Sequence, residues 1–181
     1  NNKLLLSGTI NDANNMEKFL EKKGYVVTHM NDEQYTQNSL YYPNKKNILR
    51  EIKNLLITAV NRKIYNTVIY FAGHGIQDNL NFSSDEKDGK DEYIIPSSFD
   101  NNNISSAIKD DEINEIINDT IKDELNMKLF IMFDCCHSAT NADLKYTYDH
   151  TGKVYGTLNH SYNTNIDASV IKLSGCLDNG S

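Results

Sequence analysis

The chain alternates short apolar segments with stretches whose apolar residues recur at helical spacing. Residues 67–71 and 128–133 are almost wholly apolar, which is typical of strands buried on both faces. Residues 44–62 and 110–122 carry the clearest amphipathic helical patterns. Buried strands that alternate with helices predict an α/β fold, with a mostly parallel sheet flanked by helices on both faces.

Weaker patterns complete the predicted order of elements. A helix that Asn11 or Asp12 can cap carries Met16 and Phe19 on one face, and Gly24 ends it. The remaining predicted strands are residues 3–7, 25–30, 93–96 and 168–174. The predicted loops are residues 31–43, 72–92 and 138–167, the last with some local order.

Composition excludes several classes of protein and partner. The chain has 181 residues with 39% hydrophobic and 24% charged, which is usual for one globular domain. A net charge of −7 disfavours nucleic acid and anionic membranes as partners. Residues 1–10 lack a signal-peptide pattern, and no apolar run approaches the ~20 residues of a membrane span. Three cysteines, two of them adjacent, suit neither a disulfide framework nor a zinc cluster, so we expect a cytoplasmic location.

Two segments with reactive side chains directly follow the two apolar strands. Ala72-Gly73-His74-Gly75 follows the first strand, and Asp134-Cys135-Cys136-His137-Ser138 follows the second. In an open α/β sheet, ligands bind beyond the carboxyl ends of the strands. A histidine beside a cysteine lowers the pKa of the thiol and acts as its base. A buried cysteine and an unrelated loop histidine are the alternatives, and His137 is a rival base, although a sequence neighbour usually points elsewhere.

The two motifs resemble the catalytic motifs of metacaspases, which are caspase-like cysteine peptidases. Further matches follow in the same order along the chain. They are Ile10-Asn11-Asp12 with the helix after it, the acidic loop 88–92 with Pro96, Asp110-Asp111-Glu112-Ile113, and Ser174-Gly175-Cys176. The resemblance covers nearly the whole chain and implies a caspase-like, Rossmann-like fold.

The resemblance assigns roles to individual residues. Cys136 would be the nucleophile and His74 the base, with the backbone N–H groups of Gly75 and Cys136 as the oxyanion hole. Metacaspases cleave after Lys or Arg, and the positions that match the specificity pocket are Asp12 and Asp134. Carboxylates there suit a basic side chain. Ala72 belongs to the same pocket but stands where the family usually has Ser, and the lost hydroxyl is expected to weaken selection.

The resemblance also implies activation by calcium, because many metacaspases require it. Hard oxygen ligands from separate loops suit Ca²⁺ better than Zn²⁺. The spacing is not that of an EF-hand, and the alternative is that residues 85–92 are a solvated run of charge. The residues that match the calcium site are Asp91, Asp110, Asp111 and Asp143.

The implied organisation is one caspase-like peptidase domain over residues 1–181. A part like the large subunit of caspases spans residues 1–145, and a loop and the start of a small-subunit-like part follow. Family members continue with a further strand and helix, so we expect either that a C-terminal segment is missing here or that this chain is unusually short. Such enzymes are commonly zymogens that cut themselves after basic residues, here Lys145 or Lys153. The expected substrates are proteins or peptides, and the expected state is a monomer.

Two alternatives remain at this point. One is a caspase-like peptidase with another preference at the cleaved position, because Ala72 alters the pocket. The other is a catalytically weak or inactive interaction protein on a caspase-like fold, since a fold does not guarantee activity.

Overall fold

The computed structural model of the chain describes Leu6 and residues 8–78, 91–135, 147–148, 154–155 and 167–175. Over these residues the helices are α1 (Thr9–Lys22), α2 (Lys45–Arg62) and α3 (Asp110–Ile121), and Ile104–Ser106 is a 3-10 helix. The strands are β1 (Asn66–Ala72), β2 (His74–Asp78), β3 (Asp91–Ile95), β4 (Ile108–Lys109), β5 (Lys128–Asp134), β6 (Thr147–Tyr148), β7 (Val154–Tyr155) and β8 (Ser169–Ser174).

Three strands form a parallel sheet in the order β1-β5-β8. The strands end together, because Ala72 is the register partner of Asp134 and Phe133 that of Ser174. This sheet and its helices confirm the predicted α/β fold with a mostly parallel sheet.

The hydrophobic core fills one face of the parallel sheet. α2 and α3 pack there against side chains that include Phe71 of β1 and Ile131 and Phe133 of β5. Leu56 of α2 and Ile117 of α3 are completely buried. Successive strand residues point to opposite faces, so Tyr70 and Ala72 lie on the other side of β1. α1 contacts β1, and its Asp12 acts electrostatically on Tyr70 of that other face.

A smaller antiparallel sheet continues from the end of β1. Its strand order is β2-β3-β4, and β2 begins at His74, one residue after β1 ends. α3 starts at Asp110, directly after β4. β6 and β7 pair with each other as a separate two-stranded ladder. The carboxyl ends of β1 and β5 therefore lie at one edge of the parallel sheet. The antiparallel sheet links the end of β1 to the start of α3.

The observed N-caps of α1 and α2 are of different kinds. Asn44 caps α2, since its Oδ1 accepts a hydrogen bond of 2.9 Å from the backbone N–H of Asn47. α1, in contrast, begins earlier than predicted and has Gly8 as its N-cap. Asp12 therefore lies in the first turn and not at the cap. Gly24 follows α1 with φ +89°, a left-handed conformation that suits the predicted stop.

The predicted strand at residues 25–30 is wrong as a paired strand. Residues 25–28 alternate between half-buried and exposed, with Val26 98% exposed, as in an extended chain. No described residue pairs with this segment, and a strand requires a hydrogen-bonded neighbour. The predicted strand at residues 3–7 lies outside the described residues except for Leu6, so it stays a prediction.

β2 lies within the predicted loop 72–92, where the sequence pattern gave no strand. Its sequence, HGIQD, is short and mostly polar, and its pairing with β3 rather than its propensity makes it a strand.

None of the described helices has the length and hydropathy needed to cross a membrane.

Candidate active site

The site lies where β1 and β5 end side by side. Ala72 and Asp134 are the last residues of these strands and are register partners. The backbone N–H of Gly73 donates a hydrogen bond of 3.2 Å to the carbonyl of Asp134, which extends the contact by one residue. The two motifs that the sequence singled out therefore leave the sheet from adjacent positions.

His74 is held by the start of the smaller sheet. It is the first residue of β2 and the register partner of Ile95, and it is half-buried. Gly75, the next residue, is buried opposite Ile94. His74 is thus the second residue after the end of β1, and the pairing of β2 with β3 holds its backbone in place.

The predicted nucleophile lies just outside the described residues. Cys135 is the last described residue of this segment and is 7% exposed. Cys136 follows it immediately, so the structure places the backbone that leads to Cys136 beside the strand that leads to His74. The pairing of Cys136 with His74, and the oxyanion hole from Gly75 and Cys136, stay predictions.

An acidic corner occupies the α1 side of the strand ends. We use this name for Asp12, Asp134 and Tyr70. The hydroxyl of Tyr70 donates a hydrogen bond to Asp134 Oδ2 over 3.2 Å. Asp12, on α1, is near enough for its charge to act on Tyr70. The structure thus brings together the two predicted pocket carboxylates through a tyrosine that the sequence motifs do not include.

The electrostatics of Tyr70 follow from this corner. Burial raises the pKa of Tyr70 above its usual value, and the charge of Asp134, the hydrogen bond to it and the charge of Asp12 raise it further. All four effects penalise the tyrosinate. The hydroxyl therefore keeps its proton at neutral pH and acts as a donor to Asp134.

Gly175, the residue that follows β8, borders the same carboxylate. Its N–H donates to the carbonyl of Phe133 over 2.9 Å, which brings the two backbones close. A Cβ on Gly175 would lie 3.3 Å from Asp134 Oδ1 and 3.4 Å from the Phe133 carbonyl oxygen. A side chain at position 175 would therefore crowd the carboxylate on the side opposite to its bond with Tyr70.

Ala72 shares the face of β1 that carries Tyr70. The two residues are separated by one position, so their side chains leave the strand in the same direction. As the register partner of Asp134, Ala72 has its methyl beside the pocket carboxylate. It offers no hydrogen bond, and Tyr70 supplies the hydroxyl that reaches Asp134.

Two of the predicted calcium ligands, Asp110 and Asp111, are the first two residues of α3. Tyr93 pairs with Lys109 and Ile94 with Ile108 in the β3–β4 ladder. Asp91 begins β3, and β3 pairs with the short strand that directly precedes Asp110 and Asp111. Asp110 is 1% exposed. Asp143 lies outside the described residues, and so does the side chain of Asp91.

The chemistry of this donor set fits a hard cation. The described carboxylates, Asp110 and Asp111, lie at the N-terminus of α3 and offer oxygen ligands. Asp111 is in ion-pair contact with the ammonium of Lys109, so this lysine already neutralises part of the negative charge of the two carboxylates. Within the described part of the chain, no three His, Cys, Asp or Glu side chains are grouped so as to hold a metal ion.

A lysine anchors α3 and so fixes where Asp110 and Asp111 lie. Lys45 Nζ contacts the carboxylate of Glu112 at 2.7 Å and donates to the carbonyls of Ser105 and Ala107. Glu112 Oε2 also accepts from the backbone N–H of Lys109, which closes the first turn of the helix. Lys45 was not predicted as a site residue, and its spacing from α3 gave no signal for it.

The signal that identifies Tyr70 was present in the sequence. It stands two residues before Ala72 in a predicted strand, and alternation places both on one face. Gly175 was part of a matched motif but had no assigned role. Its closeness to Asp134 depends on the pairing of β5 with β8, which the sequence alone does not specify.

Known proteins resemble this chain over most of its length. The family model "Metacaspase, peptidase C14 domain" matches residues 1–145. Metacaspase-1B of Aspergillus fumigatus is 36% identical over 152 residues, which cover 81% of this chain and 35% of that protein. Metacaspase-1 of Yarrowia lipolytica is 34% identical over 151 residues, 81% of this chain and 31% of that protein. The chain thus spans about a third of the length of these relatives.

Proposed function

Because the chain belongs to the metacaspase family of C14 peptidases, we propose that it is part of a cysteine endopeptidase that cleaves proteins after Lys or Arg. Cys136 is the nucleophile and His74 its base. One observation carries the proposal: β1 and β5 end in register, so that the segments bearing these two residues leave the sheet side by side.

The proposed reaction follows the chemistry of a thiol and an imidazole. His74 takes the proton of the Cys136 thiol, and the thiolate attacks the scissile carbonyl carbon. The negative charge on the carbonyl oxygen is stabilised by the N–H groups of Gly75 and Cys136. His74 then returns the proton to the leaving amine as the C–N bond breaks, and water hydrolyses the resulting thioester.

The acidic corner supports the proposed preference for basic residues. Asp12 and Asp134 are two carboxylates from different elements that converge near the strand ends, and Asp134 is exposed. A lysine or arginine side chain entering from the substrate would be attracted by both. Hydrogen bonds that involve a charged partner are worth about 1.5–3 kcal/mol, so losing one carboxylate should cost roughly 10- to 100-fold in kcat/KM.

Calcium dependence and self-cleavage are parts of the same proposal. Asp91, Asp110, Asp111 and Asp143 would hold Ca²⁺, which supplies positive charge to neutralise their clustered carboxylates. Asp110 and Asp111 then fix the start of α3 relative to β3, which in turn pairs with the β2 strand of His74. Lys145 and Lys153 are the proposed sites of self-cleavage, and both lie outside the described residues.

The test uses matched fluorogenic peptides ending in Arg, Lys or Asp, each with calcium and with a chelator. We expect release after Arg and Lys that needs calcium. The Cys136→Ala variant should reduce the rate by at least about a thousandfold, since it removes the nucleophile. Cys135→Ala is the matched control, because it removes the neighbouring thiol and should retain activity.

Each other outcome contradicts a defined part of the proposal. Release after Asp rather than Arg or Lys would contradict the role of the acidic corner and leave the pair of Cys136 and His74 in place. Release that a chelator leaves unchanged would contradict the calcium assignment. Turnover that survives in Cys136→Ala would contradict the mechanism, and no turnover of any peptide would favour the inactive interaction protein.

A further inference from the structure

We propose that Tyr70 is a positioning residue of the specificity pocket, whose hydroxyl orients the Asp134 carboxylate in place of the hydroxyl that Ala72 lacks. This inference rests on the proposed function, since it concerns how that function selects a basic side chain. It assigns a role to a residue that neither the motifs nor the family match singled out.

The first step is the direction in which the side chains point. Ala72 is the register partner of Asp134, and neighbouring residues in parallel strands share a face. Tyr70 lies two positions earlier on the same face of β1. A tyrosine is long enough to reach forward along the strand, and its hydroxyl meets Asp134 Oδ2 at 3.2 Å.

The second step is the freedom that Asp134 would otherwise have. Asp134 is exposed at the end of β5, where a carboxylate in water has several rotamers of similar energy. On the Oδ1 side, the rotation of the Asp134 carboxylate is limited only by the backbone of Gly175, because glycine carries no Cβ. The Tyr70 hydroxyl therefore selects one orientation, in which Oδ2 accepts from Tyr70 and Oδ1 stays available for a substrate cation.

The third step is the protonation of Tyr70. Burial and the two carboxylates of the corner keep its hydroxyl protonated, so the group is a neutral donor and adds no third negative charge. A phenylalanine at this position would keep the ring and its packing but would leave Asp134 without this donor. The inference thus depends on one oxygen atom, which a conservative substitution removes.

The main experiment compares Tyr70→Phe with the wild-type chain on Arg and Lys peptides. Losing a hydrogen bond to a charged group should lower kcat/KM about tenfold, almost entirely through a higher KM, because the reacting atoms are untouched. Tyr42→Phe is the matched control: its hydroxyl bonds the carbonyl of Ser97 at 3.4 Å and does not bond Asp134. It should leave both constants unchanged.

A rescue variant separates positioning from simple structural loss. Ala72→Ser, added to Tyr70→Phe, places a hydroxyl directly beside Asp134 on the same face. We expect it to recover most of the lost KM. An unchanged KM in Tyr70→Phe, or a fall in kcat alone that Ala72→Ser does not repair, would overturn the inference.

A binding measurement distinguishes failure of this inference from failure of the proposed function. N-acetyl-arginine amide is titrated by calorimetry into the Cys136→Ala chain, with and without Tyr70→Phe, so that no turnover is needed. Weaker binding in Tyr70→Phe supports the role of Tyr70 even if no peptide is cleaved. Equal binding to both chains, or no binding to either, contradicts it whatever the peptidase assay gives.

Discussion

Gly73 joins β1 to His74, and the structure indicates that only a glycine fits there. A Cβ at position 73 would lie 2.5 Å from Cζ and 2.9 Å from Cε1 of the Phe71 ring. That ring cannot swing away freely, because it packs edge to face on Phe133 with centroids 6.4 Å apart and contacts the buried core. Gly73→Ala should therefore force the ring from its place and cost about 1–3 kcal/mol of unfolding free energy, as overpacking does.

The assay is a double-mutant cycle in urea with Phe71→Leu. Phe71→Leu shortens the side chain at the point of contact and should cost about 1 kcal/mol by itself. If the clash is the cause, Gly73→Ala should cost little more in the Phe71→Leu background. We expect a coupling energy of about 1–2 kcal/mol between the two positions.

Gly24→Ala is the control for a glycine needed for another reason. Gly24 has φ +89°, and no heavy atom lies within 4 Å of the place that a Cβ would take, so alanine there is strained in the backbone without a clash. Its cost of roughly 1–2 kcal/mol should add to that of Phe71→Leu. If Gly73→Ala and Phe71→Leu are also additive, within about 0.5 kcal/mol, the ring is not what excludes a side chain before His74.

Two further predictions concern the core and the acidic corner. Ile117→Ala, at a completely buried position of α3, should cost about 2–5 kcal/mol in urea unfolding, whereas the exposed Ile57→Ala of α2 should cost far less; similar values at both positions would contradict the assigned core. Tyr70 should titrate above the ordinary tyrosine pKa of about 10, read as the difference in tyrosinate absorbance between wild type and Tyr70→Phe. Since the raised pKa favours the protonated folded state, its stabilisation is complete below pH ~10 and is lost as the pH rises further. Asp134→Asn should lower this pKa, and an unchanged titration would contradict the contact.

The sequence predicted those helices and strands whose buried face follows from the spacing of their own apolar residues. The helical spacing at residues 44–62 corresponds to α2, and the apolar run at 128–133 corresponds to β5. Both are buried against the same core, so pattern and packing agree. Residues 25–30 have the composition of a strand, but a strand also needs a neighbour, and the structure describes none for them.

The site was predictable to the extent that it follows strand ends. His74 and Asp134 were placed together from the rule that ligands bind beyond the carboxyl ends of parallel strands, and the pairing of β1 with β5 has this arrangement. Asp12 is different, since it comes from α1 and its helix begins earlier than the sequence suggested. Nothing in local pattern places α1 over Tyr70, so only the resemblance pointed to Asp12.

Tyr70 shows which part of the site follows from local sequence and which part depends on strand pairing. Strand alternation determines that residues 70 and 72 share a face, but it does not determine which neighbour they meet. That depends on the register of β1 with β5, a tertiary property, and a slip of one residue would turn Asp134 to the opposite face. The contact of 3.2 Å between the Tyr70 hydroxyl and Asp134 Oδ2 therefore depends on the observed register of β1 with β5. A pocket built on register can lose a hydroxyl at one position of a face and regain it at another, because both positions reach the same carboxylate.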